Sequence, residues 1–188
     1  MLASLPNVIT VARISLVLPI AWLLWEGYYV TALVVTAAAG ASDAVDGWLA
    51  RRLGAVSRFG AALDPVADKL LVAVIYLIFA FQGHLPIWLA VIVLGRDAVI
   101  MSGAGAYRLL FGRFEFAPTY ISKANTGLQI ATALLVLVKL CDFGWLSALI
   151  AALVDPYVFY LLAALGIASG LDYVVVWSRR AWRQARSS

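Results

Sequence analysis

The fold is decided where two long apolar segments meet, at SDAVDGWLAR (residues 42–51) and RFGAALDPVADK (residues 58–69). The first stretch contains two aspartates three residues apart, and the second contains two aspartates four residues apart, so each pair would project from one face of a helix. The four are Asp43, Asp46, Asp64 and Asp68. Because the flanking segments would run in opposite directions, we expect both pairs to lie at one depth and to face each other.

Composition shows what surrounds these carboxylates. The chain has 188 residues, of which 64% are hydrophobic and only 13% are charged, and its mean hydropathy is +0.96. That supply of charge is about half the usual share and could not cover a water-soluble surface. The sequence therefore predicts a protein of the lipid bilayer. Its net charge of +4 comes from clustered arginines, and no basic soluble face suited to nucleic acid is visible.

Apolar segments long enough to cross a bilayer recur along the chain, at about 20 residues each. We predict an all-α, polytopic membrane protein with six transmembrane helices that forms one domain over residues 1–188. The predicted spans are residues 7–27, 29–50, 64–82, 86–108, 120–140 and 156–178. The apolar stretch 145–154 is too short to span and is expected to be interfacial or re-entrant.

Basic residues mark one side of this arrangement. They follow spans two and six and bracket the connection between spans four and five, at Arg51, Arg52, Arg58, Arg108, Arg113, Lys123, Arg179, Arg180, Arg183 and Arg186. The positive-inside rule then predicts that both termini and these loops are cytoplasmic. An aromatic belt is expected at the other side, formed by Trp22, Trp25, Tyr28, Tyr29, Trp88, Trp145 and Tyr157.

Four converging carboxylates need a cation. Burying each one in a membrane helix costs roughly 2.5–3.5 kcal/mol even on mild insertion scales. Oxygen ligands suit Mg²⁺, Mn²⁺ or Ca²⁺ rather than zinc, and the single Cys141 excludes a multi-cysteine site. Two such ions, about 4 Å apart, could clamp a diphosphate. The alternative to a metal site is that the four aspartates lie in two solvated turns and cap the neighbouring helices. Likewise Gly47, Ala50 and Gly60 either leave room for a ligand or serve helix packing.

The pattern D-x2-D-G-x2-A-R-x8-G-x3-D-x3-D over residues 43–68 resembles the signature of the CDP-alcohol phosphotransferase family. The resemblance implies a six-helix membrane fold, usually dimeric, in a bacterial cytoplasmic membrane with its site facing the cytoplasm. It implies that metals bind to Asp43, Asp46, Asp64 and Asp68, with Asp68 as general base. It also implies that the CDP-lipid, CDP-diacylglycerol, is bound by Gly47, Ala50, Arg51 and Gly60.

The implied reaction is attack of an acceptor hydroxyl on the phosphorus that carries the lipid, with CMP leaving. Such transfers depend on positioning and charge neutralisation more than on covalent catalysis. The sequence offers no Cys–His or Ser–His pairing, because its one histidine, His84, falls in the opposite loop. We expect His84 to be an ordinary loop residue.

Two segments bear on the acceptor, GRD at residues 95–97 and PTYISKANT at residues 118–126. Both resemble the cardiolipin synthase branch of the family, which implies phosphatidylglycerol as acceptor. The alternative is phosphatidylglycerophosphate synthase, which uses glycerol 3-phosphate. Candidates to bind the acceptor phosphate are Arg96, Arg108, Arg113 and Lys123.

Each of these basic residues has a plainer alternative. Arg96 and Asp97 could form a buried structural pair, and the others could be positive-inside anchors. A transporter with an acidic ion site is a more remote alternative for the whole chain. It is disfavoured because matched discontinuous helices are absent from the sequence pattern.

Overall fold

A computed structural model describes the backbone of residues 5–53, 58–111 and 119–185, and the side chains of residues 15–42, 69–105 and 119–177. Over the described residues the fold is all-α, as predicted. The helices are α1 (Leu5–Trp25), α2 (Tyr29–Leu53), α3 (Arg58–Phe81), α4 (Ile87–Phe111), α5 (Tyr120–Leu140), α6 (Trp145–Leu153) and α7 (Phe159–Ala185).

Glycine and a capping hydroxyl mark several helix ends. Gly27 follows α1 with φ 78°, and Gly83 follows α3 with φ 77°, a backbone region that glycine enters without steric cost. Thr119 caps α5, since its side chain accepts a hydrogen bond from the Ser122 amide at 3.3 Å. These turns set the lengths of the helices on either side.

Each of the six predicted spans corresponds to one observed helix. The ends differ most at α3, which begins at Arg58 rather than residue 64, and at α7, which ends at Ala185 rather than residue 178. Hydropathy identifies only the apolar part of a helix, whereas backbone hydrogen bonding continues into the charged residues at its end. The stretch predicted to be too short to span is α6, a helix of 9 residues. An irregular turn follows it at Val154–Val158, with non-helical backbone at Asp155.

Three described stretches are long and apolar enough to cross a membrane: Ile87–Gly105, Tyr120–Leu140 and Trp145–Trp177. The third includes α6, the irregular turn and most of α7. The protein is therefore an integral membrane protein. Shorter described apolar parts of α1, α2 and α3 belong to helices of 21, 25 and 24 residues.

Packing brings α3, α4, α5 and α7 around one interior. α3 packs against α1, α4 and α5, while α7 packs against α4 and α5, and α2 packs against α1 and α5. The largest side chains that are fully enclosed include Tyr76, Phe79, Leu89, Val136 and Leu162. The polar side chains described below lie on the helices that share this interior.

One end of the bundle, which we call the aromatic end, holds the connections α1–α2, α3–α4 and α5–α6. Tyr29 and His84 share a hydrogen bond of 2.8 Å between the Tyr29 hydroxyl and His84 Nε2. Gln82 Nε2 donates to the carbonyl oxygens of Leu24 and Trp25 at 3.1 and 3.0 Å. We call the other end, where α2 ends and α3 begins, the basic end.

Most of the predicted aromatic belt is exposed to the surroundings of the protein. The exposed members are Trp22, Trp25, Tyr28, Trp88, Trp145 and Tyr157, while Tyr29 is half-buried. Trp88 stacks on Tyr160, with ring centroids 5.7 Å apart. Exposed tryptophan and tyrosine at one level are typical of a membrane–water interface.

Candidate active site

The four aspartates lie on the two helices that flank residues 54–57. α2 contains Asp43 and Asp46, and α3 contains Asp64 and Asp68, so both predicted spacings fall within helices. The side chains of these aspartates and of Gly47, Ala50, Arg51 and Gly60 lie outside the described residues, so their roles stay predictions. Among the described side chains, no group of three or more histidine, cysteine or carboxylate residues could hold a metal ion.

The described part of the site begins at Lys69, the residue after Asp68. Lys69 Nζ lies 2.7 Å from Asp97 Oδ1, and the two side chains are 27% and 10% exposed. An ion pair that is partly removed from solvent is screened less than one at the surface. The Lys69–Asp97 pair therefore joins α4 to the part of α3 that directly follows Asp68.

Arg96 is buried and links three helices. Its Nη1 donates to Asp97 Oδ1 at 2.5 Å, on α4 itself. Its Nη2 donates to the hydroxyl oxygens of Ser122 on α5, at 2.5 Å, and Ser169 on α7, at 2.9 Å. With each of its three nitrogens hydrogen-bonded inside the bundle, Arg96 has the surroundings of a structural cross-link. This favours the buried-pair alternative over a free phosphate ligand.

α5 supplies further contacts to the same carboxylate and to α3. Asp97 Oδ2 accepts from Gln129 Nε2 at 3.4 Å, and the Tyr76 hydroxyl donates to the Gln129 backbone oxygen at 2.9 Å. We call Lys69, Arg96, Asp97, Ser122, Gln129 and Ser169 the interior polar network. It connects α3, α4, α5 and α7.

Sequence reasoning missed most of this network, although a signal was present on α5. Four polar residues there recur at intervals of three, four and three, and all are buried: Ser122, Asn125, Gln129 and Thr132. In an apolar helix this spacing indicates one polar face turned toward neighbouring helices. Asn125 is fully buried, and its amide has no hydrogen-bond partner among the described residues.

A glycine on α7 allows the close packing that brings Ser169 to Arg96. A Cβ added at Gly166 would lie 3.3 Å from Ile92 Cγ2 and 3.6 Å from Asn125 Oδ1. The first distance is tighter than most real contacts, so a side chain there would require Ile92 or α7 to shift by a few tenths of an ångström. Ser169 follows Gly166 by three residues, about one helical turn.

Of the other predicted phosphate ligands, Lys123 is the one whose side chain lies within the described residues. Lys123 is exposed near the start of α5, with Nζ 5.8 Å from the ring centroid of Tyr120, within cation–π range. Arg108 lies on α4, but its side chain is outside the described set, and Arg113 lies outside the described residues altogether.

His84 lies in the α3–α4 connection at the aromatic end, as predicted for a loop residue. It is half-buried beside Tyr29 and Phe79, whose rings meet it edge-on. Burial lowers the pKa of His84, and the positive charge of Lys139 lowers it further. His84 therefore favours its neutral form, which suits the hydrogen bond to Tyr29.

A family model for CDP-alcohol phosphatidyltransferases matches residues 3–171. The chain belongs to the CDP-alcohol phosphatidyltransferase family of enzymes, which generally use a divalent metal. The match includes both aspartate helices and the interior polar network. The resemblance read from the acidic motif is thus confirmed at the level of the family.

Relatives fall into two named activities. The chain is 32% identical to "Cardiolipin synthase (CMP-forming) / mitochondrial hydrolase fusion protein" of Schizosaccharomyces pombe, over 98% of this chain and 32% of the relative. It is 31% identical to "Cardiolipin synthase (CMP-forming)" of Homo sapiens, over 68% of this chain and 48% of the relative. It is 38% identical to "CDP-diacylglycerol--glycerol-3-phosphate 3-phosphatidyltransferase" of Pseudomonas fluorescens, over 71% of this chain and 72% of the relative. The chain thus spans less than half the length of these two cardiolipin synthases.

Proposed function

We propose that this protein transfers a phosphatidyl group from CDP-diacylglycerol to phosphatidylglycerol, giving cardiolipin and CMP. The observation that carries the proposal is the acidic motif of residues 43–68, which falls on two successive helices of a family member. The names of the S. pombe and human relatives support the choice of acceptor.

In the proposed topology α1 to α5 and α7 span the membrane, α6 does not, and both termini are cytoplasmic. The alternation of aromatic and basic ends along the chain supports this arrangement. The protein would then be a single domain over residues 1–188 in a bacterial cytoplasmic membrane, acting as a homodimer.

The donor set on α2 and α3 fits a hard divalent cation, because it consists of carboxylate oxygens at helical spacing. We infer Mg²⁺ or Mn²⁺, as two ions, held by Asp43, Asp46, Asp64 and Asp68. When bound, such ions neutralise a diphosphate and the charge that develops during in-line displacement.

The protein residues then divide the remaining tasks. Asp68 accepts the proton of the attacking hydroxyl, a role in which a positioned base contributes typically 10²–10⁴-fold. The CDP-lipid is bound beside the aspartates, where small residues leave room for a bulky ligand. The residues proposed for this are Gly47, Ala50, Arg51 and Gly60.

The acceptor site is proposed at the ends of α4 and α5. The segments 95–97 and 118–126, which resemble the cardiolipin synthase branch, contact each other through the hydrogen bond from Arg96 to Ser122. That contact supports treating them as one structural unit. Lys123, Arg108 and Arg113 are the candidates to bind the acceptor phosphate. Arg96 is a further candidate, although its hydrogen bonds to Asp97, Ser122 and Ser169 support a role in holding the helices together.

Glycerol 3-phosphate is the second candidate acceptor. The Pseudomonas fluorescens relative, named for that substrate, is 38% identical, and the alignment covers similar shares of both chains. Because both acceptors contain a phosphate, the basic residues cannot discriminate between them. The acceptor must be measured.

The test supplies purified protein with CDP-diacylglycerol and a divalent cation, and offers radiolabelled phosphatidylglycerol and glycerol 3-phosphate in separate reactions. Lipid products are separated by chromatography, and CMP release is measured in parallel. We expect cardiolipin from phosphatidylglycerol. If lipid product forms only with glycerol 3-phosphate, that compound is the acceptor in place of phosphatidylglycerol. If neither compound leads to CMP release, the transferase assignment is contradicted.

A further inference from the structure

The ion pair of Lys69 constrains the rotation of α3 immediately beyond Asp68. Successive residues on an α-helix are separated by about 100° around the axis. Lys69 faces α4, where its Nζ meets Asp97 Oδ1 at 2.7 Å. Asp64 and Asp68, four residues apart, share the adjacent face of α3. Rotation of α3 would therefore move both aspartates together.

A second contact on the same face of α3 opposes that rotation. Tyr76 is seven residues after Lys69, almost two helical turns, so the two side chains lie above one another. The Tyr76 hydroxyl is buried and donates to the Gln129 backbone oxygen of α5 at 2.9 Å. Lys69 thus fixes the rotation of α3 close to the aspartates, and Tyr76 fixes it deeper in the bundle.

The partner of Lys69 is itself held firmly. Asp97 Oδ1 also accepts from Arg96, whose guanidinium reaches Ser122 of α5 and Ser169 of α7. Asp97 Oδ2 accepts from Gln129. The Asp97 carboxylate is thus held through one oxygen by Arg96 of its own helix and through the other by Gln129 of α5, so the partner of Lys69 is fixed in position.

Charge at this position also favours the acidic motif. Lys69 and Arg96 provide two positive charges to one carboxylate, Asp97, within the described part of the network. The excess positive charge lies one residue from Asp68. It offsets part of the repulsion among the four motif carboxylates.

We propose that Lys69 and Asp97 are positioning residues for the metal-binding aspartates: their ion pair fixes the rotation of α3 and so orients Asp64 and Asp68. This inference rests on the proposed function. It assigns to the pair a role in metal affinity, beyond holding two helices together.

The test compares Mn²⁺ binding, measured by electron paramagnetic resonance on the detergent-purified full chain, with CMP release. Lys69→Met should weaken Mn²⁺ binding about tenfold or more, as loss of a supporting contact around metal ligands typically does. Lys69→Arg should recover most of the affinity. Asp97→Asn removes the negative charge of the Lys69–Asp97 pair and should weaken Mn²⁺ binding to a similar degree.

The matched control is Gln82→Leu, which breaks hydrogen bonds just beyond the opposite end of α3. It should lower thermal stability yet leave Mn²⁺ affinity unchanged, which separates positioning from general loosening of the fold. Wild-type affinity in both Lys69→Met and Asp97→Asn would overturn this inference alone. A wild type that binds no Mn²⁺ would overturn both it and the proposed function.

Discussion

Two lysine–aspartate pairs join separate segments of the chain, one at the aromatic end and one in the interior, and their surroundings differ. Lys139 donates to Asp155 at the aromatic end, where the aspartate side chain is 44% exposed. Lys69 pairs with Asp97 in the interior, where the aspartate is 10% exposed and also bonded to Arg96. Exposed pairs contribute about 0–1 kcal/mol, whereas breaking a buried pair costs about 3–5 kcal/mol. The same residue types therefore close a loop at the aromatic end and, in the interior, join two helices beside the proposed site.

The surrounding polar groups follow the same division. At the aromatic end, hydrogen bonds from Tyr29 and Gln82 join neighbouring connections, so polar side chains complete the turns between helices. In the interior, hydrogen bonds from Arg96 join helices that are distant in sequence. We expect changes at the first end to affect stability alone, and changes around the second to affect chemistry as well.

The largest effect should come from removing divalent cations. The proposed site brings four carboxylates together at the basic end, and the cations closest to them in sequence are Lys69 and Arg51, so we expect an active arrangement to need metal ions. We expect chelation with excess EDTA to abolish CMP release, and Mg²⁺ or Mn²⁺ to restore it. Full turnover after bound metal has been stripped would contradict the proposed chemistry.

The next largest effect should come from Asp68→Asn, which keeps the shape of the side chain but removes its basicity. Turnover should fall about 10²–10⁴-fold while the CDP-lipid still binds. Asp43→Asn should instead weaken binding of metal and nucleotide.

The matched control for Asp68→Asn is Asp142→Asn at the aromatic end. Asp142 is exposed and has φ 53°, a conformation that asparagine tolerates well. CMP release by this variant should equal that of the wild type. Normal turnover in Asp68→Asn would place the base elsewhere, and a large loss in Asp142→Asn would show that both ends matter to the chemistry.

The buried Arg96–Asp97 pair and the more exposed Lys139–Asp155 pair can be compared through stability. Arg96→Met removes the guanidinium that joins α4, α5 and α7, so we expect a loss of about 3–5 kcal/mol in the free energy of unfolding. Lys139→Met should cost at most about 1 kcal/mol, because its partner is exposed. Unfolding in mixed micelles with increasing denaturing detergent measures both. Equal losses would mean that burial does not distinguish the pairs.

Much of the fold follows from the sequence because hydropathy and turn residues act locally. The helices α1 to α5 lie close to the predicted spans, and the brevity of α6 follows from its short apolar run. The polar extension at the start of α3 was not predicted, since its hydrogen bonds do not depend on hydropathy.

The aspartate motif could be read for a related reason: its spacing is local to two helices. The interior polar network depends on which helices pack together, and no local pattern determines that. Ser169 and Arg96 are 73 residues apart in sequence, yet Arg96 Nη2 and Ser169 Oγ are 2.9 Å apart. The polar face of α5 shows that residues such as Gln129 point inward, but only the packing shows that Gln129 meets Asp97.

The smallest expected effect concerns pH at the aromatic end. Burial, helped by the positive charge of Lys139, lowers the pKa of His84 below its ordinary value near 6.5. Because the folded state binds this proton less readily than the unfolded state, His84 contributes stability that is complete above pH 6.5 and is lost as the pH falls toward its lower folded pKa. Protonation would also place a second positive charge near Lys139 and turn Nε2 into a donor, so the hydrogen bond with the Tyr29 hydroxyl would have to run from the ring to the hydroxyl oxygen. The unfolding midpoint of the wild type should therefore drop modestly between pH 7.5 and 5.5, and His84→Gln should show a smaller drop over the same range. The Lys139→Met variant gives a second test. Because the nearby positive charge is removed, the pH at which His84 becomes protonated and stability falls should move upward. If the His84→Gln and wild-type midpoints fall in parallel, another titrating group controls this end of the bundle.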